Sequence, residues 1–307
     1  MRAVLVSTFG GPEALEIVEV PTPQPDSGQV RIQIAAAAVN PVDLQTRAGH
    51  VPVDQTPVGL GWDVAGTIDA VGAGVTGFAV GDAVVAIEDR LIMELGPYAE
   101  FIVLDVDAVA PAPRTVDAVA ASTLPLNALT AAQALDLADL APGQTLLVTG
   151  AAGAVGGYAV ELAAARGLHV VANAGASDEA TVRAWGARTF VPRSDDVVGA
   201  VRAVLPDGVD AVLDTIYRPA EVLGAVRDGG AYVNIAPMLG PVATERGIRA
   251  LDQFVHNDGA RLAELAQLVD AGQLTLRVAD TFPLAEVAAA HELAAKDGLR
   301  GRVVLVP

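Results

Sequence analysis

Residues 145–165 read TLLVTGAAGAVGGYAVELAAA, in which a short apolar run, Leu146-Leu147-Val148, breaks into glycines and resumes as an alanine-rich helical pattern. The order is strand, turn, helix. Gly150, Gly153 and Gly156 stand at a GxxGxxG spacing, which lets a backbone turn sharply, approach a pyrophosphate and pack a helix closely on its strand. Amides at the head of such a helix point at the phosphates. Glycine triplets also arise by chance in alanine- and glycine-rich chains, and helix caps use glycine for steric reasons alone, so the flanks carry the weight. Leu140-Ala141-Pro142-Gly143-Gln144 is a turn feeding the strand, and Gly167-Leu168-His169-Val170-Val171-Ala172 reads as a second parallel strand after a crossover helix. The stretch predicts a dinucleotide site lined by Gly150, Ala152, Gly153, Ala154, Val155 and Gly156.

Downstream, strands alternate with helices to about Ile235, through Thr189-Phe190-Val191, Ala211-Val212-Leu213-Asp214 and Ala231-Tyr232-Val233-Asn234. That rhythm demands a parallel sheet. Upstream, from Arg2 to about Val109, the pattern is short and β-rich: Ala3–Val6, Leu15–Val20 and Gln29–Ile34, punctuated by Pro21, Pro23 and Pro25. Val30, Ile32 and Ile34 alternate as in a half-buried strand, and the glycines at Gly59–Gly61, Gly72–Gly74 and Gly81 read as turns between further short strands. Asn40-Pro41 reads as a turn. From Arg114 the periodicity becomes helical. After Asp252 come a helix over Ala260–Ala271, the apolar runs Leu274-Thr275-Leu276 and Phe282-Pro283-Leu284, a helix from Glu286 and a closing strand Arg302–Val306. This tail is expected to pair with the first domain's sheet. The fold class is α/β: a β-rich domain with a closed or strongly bent sheet over 1–121, completed by 262–307, and a doubly wound parallel-sheet domain inserted over 122–261.

With 307 residues and 52% hydrophobic content, the chain can bury two cores of ordinary size. Its formal net charge of −18 repels nucleic acid and anionic membrane surfaces, so neither is expected as a partner. There is no cysteine, which excludes disulfides, thiolate metal ligands and a cysteine nucleophile. His50, His169, His256 and His291 are scattered rather than set at zinc-binding spacing. Gly10, Gly11 and Pro12 cut short the apolar start, so it reads as a strand and not a signal peptide, and a cytoplasmic protein is expected. The uncharged stretches Ala118–Leu135 and Pro142–Val160 are read as buried elements, because Pro125 interrupts one and glycines crowd the other.

Six segments occur in the order of a known family: Phe9-Gly10-Gly11-Pro12, Val39-Asn40-Pro41-Val42-Asp43, Gly61-Trp62-Asp63-Val64-Ala65-Gly66, Gly96-Pro97-Tyr98-Ala99-Glu100, Ala151-Ala152-Gly153-Ala154-Val155-Gly156 and Arg300-Gly301-Arg302-Val303-Val304-Leu305. Through them nearly the whole chain resembles the zinc-independent, zeta-crystallin-like quinone oxidoreductase branch of the medium-chain dehydrogenase/reductases. The resemblance implies a GroES-like bent β-barrel catalytic domain, an inserted Rossmann domain, an active cleft between them, and a homodimer joined by an edge strand, for which the apolar strand around Tyr232 is the local support. Zinc-dependent cousins carry cysteine where Asn40 stands and histidine where Trp62 stands, so no catalytic zinc is implied here. Without that Lewis acid the substrate must accept hydride readily, which quinones and α,β-unsaturated carbonyl compounds do. Two alternatives share the fold: a biosynthetic reductase or cyclase acting on an imine or polyketide-type intermediate, and a dinucleotide-binding protein without turnover.

By that resemblance Asn40 and Asp43 lie nearest the nicotinamide; on local sequence alone they fit a capping Asx-type turn equally well. Val51 stands where many relatives carry a tyrosine. Neighbouring His50 is the candidate proton donor, against the alternative of a solvated loop histidine. Thr215, Tyr217 and Ile235 follow sheet strands, where ligands gather in such folds. Asn173 and Ser177 follow the second strand; Ser177 suits a 2′-phosphate, whereas Asp178 suits a ribose hydroxyl. Arg193 stands where relatives use tyrosine near the adenosine phosphate and could pair with it in a bidentate way. NADP is the expected cofactor, with NAD open. Arg302 is expected to reach Asp63 or the cofactor phosphates, or else to flank the last strand as a surface charge. Tyr98 and Phe254 are read as packing residues.

Overall fold

The structure is a computed structural model and describes residues 1–51, 56–194 and 196–307. It divides into two compact units, one formed by Met1–Leu129 with His256–Pro307, the other by Thr130–Val255.

The first unit opens with β1 (Arg2–Val6), β2 (Leu15–Glu19), β3 (Gln29–Val39), α1 (Pro41–Arg47), β4 (Val58–Gly59), β5 (Asp63–Val71), β6 (Ala83–Ile87), β7 (Phe101–Asp105), β8 (Val109–Pro111) and the short α2 (Ala118–Ala121). Helix α3 (Pro125–Ala138) carries the chain into the second unit. Strand β3 is the spine. One edge pairs antiparallel with β5, and the other pairs over Gln29–Gln33 with β7. Register shifts at Arg31/Ile32 and Ile34/Ala36 mark bulges, which bend and twist a strand. Val30, Ile32 and Ile34 alternate inward as their spacing predicts, and then Ala36–Val39 are all buried. Where the sequence reads as a turn at Asn40-Pro41, β3 instead runs on to Val39 and α1 starts at once, with Asn40 at its N-cap and Pro41 in the first helical position. Pro suits that place because its missing N–H is not needed there. Gly59, expected in a turn, pairs with Leu5 in β4.

The second unit contains β9 (Thr145–Val148), α4 (Ala154–Ala165), β10 (His169–Ala174), α5 (Glu179–Ala184), β11 (Thr189–Pro192), α6 (Val197–Val204), β12 (Val209–Asp214), α7 (Pro219–Val222), β13 (Val226–Asn234) and β14 (Arg249–Asp252). All pair in parallel in the order β11-β10-β9-β12-β13-β14, the doubly wound arrangement. Leu146, Leu147 and Val148 are fully buried, so each stabilises the sheet by roughly 1.5–3 kcal/mol. Tyr232 lies on β13, inside β14, so the strand around it is not the sheet edge; β14 is.

The chain then re-enters the first unit with α8 (Gly259–Asp270), β15 (Val278–Pro283), α9 (Val287–Ala294) and β16 (Arg302–Val306). Strand β16 pairs parallel with β15 and antiparallel with β3 at Ala37–Val39. Leu274-Thr275-Leu276 is not a strand: the amides of Gln273 and Leu274 bond back to the Leu268 carbonyl and close the end of α8. Among the described residues no helix is long and apolar enough to cross a membrane.

At the amino ends of β9 and β12 the Asp210 carboxylate accepts from the Thr145 amide and hydroxyl, each at 2.7 Å, from Gln144 at 3.0 Å and from Arg227 at 2.8 Å. Burial works to raise its pKa, but these donors outweigh burial and hold it down at about 2. Its contribution to stability is therefore present above the ordinary aspartate range and lost as pH falls toward 2. Asp210→Asn should destabilise the second unit by about 1–3 kcal/mol, read by denaturant unfolding at neutral pH, with the gap to wild type closing below pH 3.

Candidate functional site

The second unit builds one cluster at the carboxyl ends of its strands. Strand β9 ends at Val148, and Gly150 turns the chain with φ +55, a conformation that disfavours side chains. The Ala151 amide is tied to the Asn173 carbonyl on β10 at 3.0 Å, and the Gly153 amide returns to the Gly150 carbonyl at 2.8 Å. Gly156, in the first turn of α4, packs so closely on that same carbonyl that a Cβ would overlap it. Gly153 caps α4 without any side-chain hydrogen bond, and Gly153, Ala154 and Val155 keep access to solvent. The helix thus presents backbone amides and the positive end of its dipole to the exterior, an arrangement that fits the phosphates of a dinucleotide.

Around this bend stand the other expected cofactor residues. Asn173 is buried, and its amide nitrogen donates to the Val191 carbonyl at 3.1 Å, so its side chain joins β10 to β11. Ser177, in the turn after β10, and Arg193, just after β11, are both exposed. At the strand ends Ala174 pairs with Pro192, and the Arg193 amide bonds to the Ala174 carbonyl at 2.7 Å. Asp178 is buried, with its carboxylate turned back onto Gly175. Thr215 sits against the bend: a Cβ on Gly150 would lie 2.6 Å from its hydroxyl. Tyr217 has φ +52 and donates to the Gly240 carbonyl at 3.1 Å, joining the loops after β12 and β13. Ile235 is half-buried at the end of β13.

The first unit builds a second cluster, buried apart from the half-buried Arg302, where β3 runs into α1. The Asn40 amide nitrogen donates to Asp63 at 2.6 Å, while its amide oxygen accepts from Asn127 at 3.1 Å. Arg302 of β16 donates to the Asn127 oxygen at 2.6 Å. Asp43 accepts the Asn40 backbone amide at 2.8 Å and the Gly61 amide at 2.9 Å, and Asp63 accepts the Leu126 amide at 2.7 Å. Asn40 and Asp63 are 0% exposed and Asp43 is 1%. Burial pushes the Asp43 carboxyl up to about 6 against the pull of its amide donors, and pushes Asp63 up to about 7 against Leu126, Asn40 and the Arg302 charge. The Tyr98 hydroxyl is coupled electrostatically to Asp43 without a well-formed hydrogen bond, and burial raises its pKa as well. Beyond Tyr98, its ring edge-on at 5.7 Å, lies His291, which burial and Arg47 push down to about 3.

Asn40 and Asp43 therefore come together, as their spacing in the motif suggests, and Arg302 joins them through Asn127. His50 does not: it is exposed and bonded to Gln45 at 2.8 Å. Asn127 and Asp214 escape a reading of the sequence. Asn127 lies in an apolar helical run with no local signal; Asp214 had one, an acidic residue ending a buried strand. Among the described residues no three His, Asp or Glu side chains gather as a metal site.

Residues 26–114 match the family described as "Alcohol dehydrogenase GroES-like domain", and residues 185–305 match the one described as "Zinc-binding dehydrogenase". The quinone oxidoreductase of Lama guanicoe is 31% identical over 326 residues, covering 100% of this chain and 97% of the relative. The chloroplastic NADPH-dependent alkenal/one oxidoreductase of Arabidopsis thaliana is 28% identical over 318 residues, covering 100% of this chain and 80% of its own length. A mycobacterial protein solved in complex with NADPH superimposes with a TM-score of 0.87 at 28% identity, covering 100% of both chains.

The raised Asp63 pKa fixes a sign. A carboxyl lifted above its unfolded value contributes stability that is complete below about pH 4 and lost as pH rises through about 7. Asp63→Asn removes that loss. The melting temperature of Asp63→Asn minus that of wild type should become more positive from pH 5 to pH 8, read by thermal unfolding; a flat or falling difference would mean that Asp63 is ionised throughout.

Proposed function

The chain belongs to the zinc-independent quinone oxidoreductase branch of the medium-chain dehydrogenase/reductases, and on that premise we propose that it reduces quinones and α,β-unsaturated carbonyl compounds with NADPH. The observation that carries this reading is the glycine bend at the head of α4, where Gly150 and Gly156 have no room for a side chain and Gly153, Ala154 and Val155 keep access to solvent. NADPH held there supplies the hydride. The chain's own part is to bind and orient: amides of Ala154 and Val155 toward the pyrophosphate, and Thr215, Tyr217 and Ile235 along the loops that border the bend.

NADPH is favoured over NADH by two kinds of support. Relatives of this chain carry NADPH in their names or structures. In the chain itself Asp178, the residue that would repel a 2′-phosphate, is buried against its own turn, while Ser177 in that turn and Arg193 just after β11 are exposed. A guanidinium and a hydroxyl both suit a phosphate ester. Of the residues expected at the reacting end, His50 is exposed and Asn40 and Asp43 are buried. We assign to His50 the return of the proton, and to Asn40 and Asp43 the shaping of the β3–α1 corner. A homodimer contact is assigned by us to β14, one of the two edge strands of the parallel sheet.

Purified protein mixed with NADPH and a panel of quinones and enones should oxidise the cofactor, followed by loss of the reduced nicotinamide absorbance. Tight binding with no oxidation by any member of the panel would overturn the reading. Arg193→Ala should weaken NADPH about tenfold, ~1.4 kcal/mol, and leave NADH unchanged. Gly156→Ala should weaken both cofactors, because its Cβ would displace the Gly150 carbonyl.

A further inference from the structure

Directly beneath the glycine bend the Asp214 carboxylate is fully buried at the end of β12, and four donors converge on it. The Thr149 hydroxyl at 2.7 Å and the Ile216 amide at 3.2 Å reach one oxygen. The Tyr232 hydroxyl at 2.7 Å and the Arg218 amide at 2.6 Å reach the other. Two hydrogen bonds on each oxygen fix the carboxylate in position. Burial and the carboxylate both raise the Tyr232 pKa, which keeps its proton in place as a donor.

The anchor reaches the bend through Thr215 and Ile216. The Thr215 amide donates to the Thr149 hydroxyl at 3.0 Å, and the Thr215 hydroxyl donates to the Thr149 carbonyl at 2.7 Å, a reciprocal tie between the ends of β9 and β12. The next residue after Thr149 is Gly150, and a Cβ there would stand 2.6 Å from the Thr215 hydroxyl and 2.7 Å from the Ile216 Cγ2. The bend is therefore seated on Thr215 and Ile216 with no gap. Two of these donors are amides of the loop itself, and Thr149, just after β9, and Tyr232 of β13 bring the other two from outside it.

We propose that Asp214, Thr149 and Tyr232 form a positioning clasp for the dinucleotide phosphates, acting through Thr215 and Ile216 to hold Gly150 where the backbone can receive a pyrophosphate. None of the three is a catalytic residue. The inference rests on the reading of the bend as an NADPH site.

The test uses the full chain with two ligands. NADPH engages the bend with its pyrophosphate, whereas its fragment adenosine 2′-monophosphate carries the adenosine and the 2′-phosphate but neither phosphate of that bridge. Affinities are measured by calorimetry for wild type, Tyr232→Phe, Thr149→Val and Thr149→Ser. Tyr232→Phe and Thr149→Val should each weaken NADPH at least fivefold and leave adenosine 2′-monophosphate within twofold of wild type. Thr149→Ser, which keeps the hydroxyl, should bind both as wild type does. NADPH affinity within twofold of wild type in Tyr232→Phe and Thr149→Val would overturn the clasp, as would equal losses for NADPH and adenosine 2′-monophosphate, which would reduce it to general support of the fold. Should wild type itself bind neither NADPH nor NADH, the functional reading fails first and the clasp falls with it.

Discussion

Everything proposed for the second unit depends on how closely α4 approaches the end of β9. With hydrogen where any other residue would carry a Cβ, Gly156 rests on the Gly150 carbonyl, and the helix axis is drawn down onto the sheet. The helix head then stands over the bend rather than beside it. Burial sustains the arrangement from below, since residues Gly156 to Ala163 of α4 are all buried and the strand beneath is buried as well. A polar turn is held in place by apolar elements that cannot shift without opening a void.

The first unit solves a different problem. Two carboxyl groups and two carboxamides are buried at the junction of β3, α1 and α3, with the half-buried Arg302 guanidinium beside them, where unpaired polar atoms are expensive. The network answers this by alternating donors and acceptors: Arg302 to Asn127, Asn127 to Asn40, Asn40 to Asp63. The Asn40 side chain is thereby committed in both directions, so its amide orientation is set by Asn127 and Asp63 rather than by a ligand. Such a network favours one arrangement of the surrounding backbone, and the corner between β3 and α1 inherits that definition.

Much of this was legible in the residues. The parallel sheet announced itself because its strands are short apolar runs buried on both faces, separated by helical stretches of regular length. The bend was legible because glycine is the residue whose absence of a side chain is the signal. Other features were masked by chemistry that local patterns do not carry. The far half of β3 is Ala35–Ala38, which neither alternates nor favours strands, and its conformation comes from β5 and β16. Asn40-Pro41 carries the same letters in a turn and at a helix start, and only the Asp43 carboxylate reaching back to the Asn40 amide separates the two. Leu274-Thr275-Leu276 looks like a strand but follows a helix whose last carbonyls needed partners. The Asn127 contact with Asn40 joins distant parts of the chain, and no local window contains it.

The division of the chain also bears on its biosynthesis. The unit Thr130–Val255 is continuous, so all its partners have been made once its last strand has left the ribosome. The other unit is interrupted, and the Ala37–Val39 edge of β3 waits for β16, which is translated only after the whole of Thr130–Val255. During that interval an apolar strand edge lies open to pairing with other chains. The insertion of one folded unit inside another thus makes the earlier-synthesised half the later one to mature, and the one most in need of protection by chaperones while it waits.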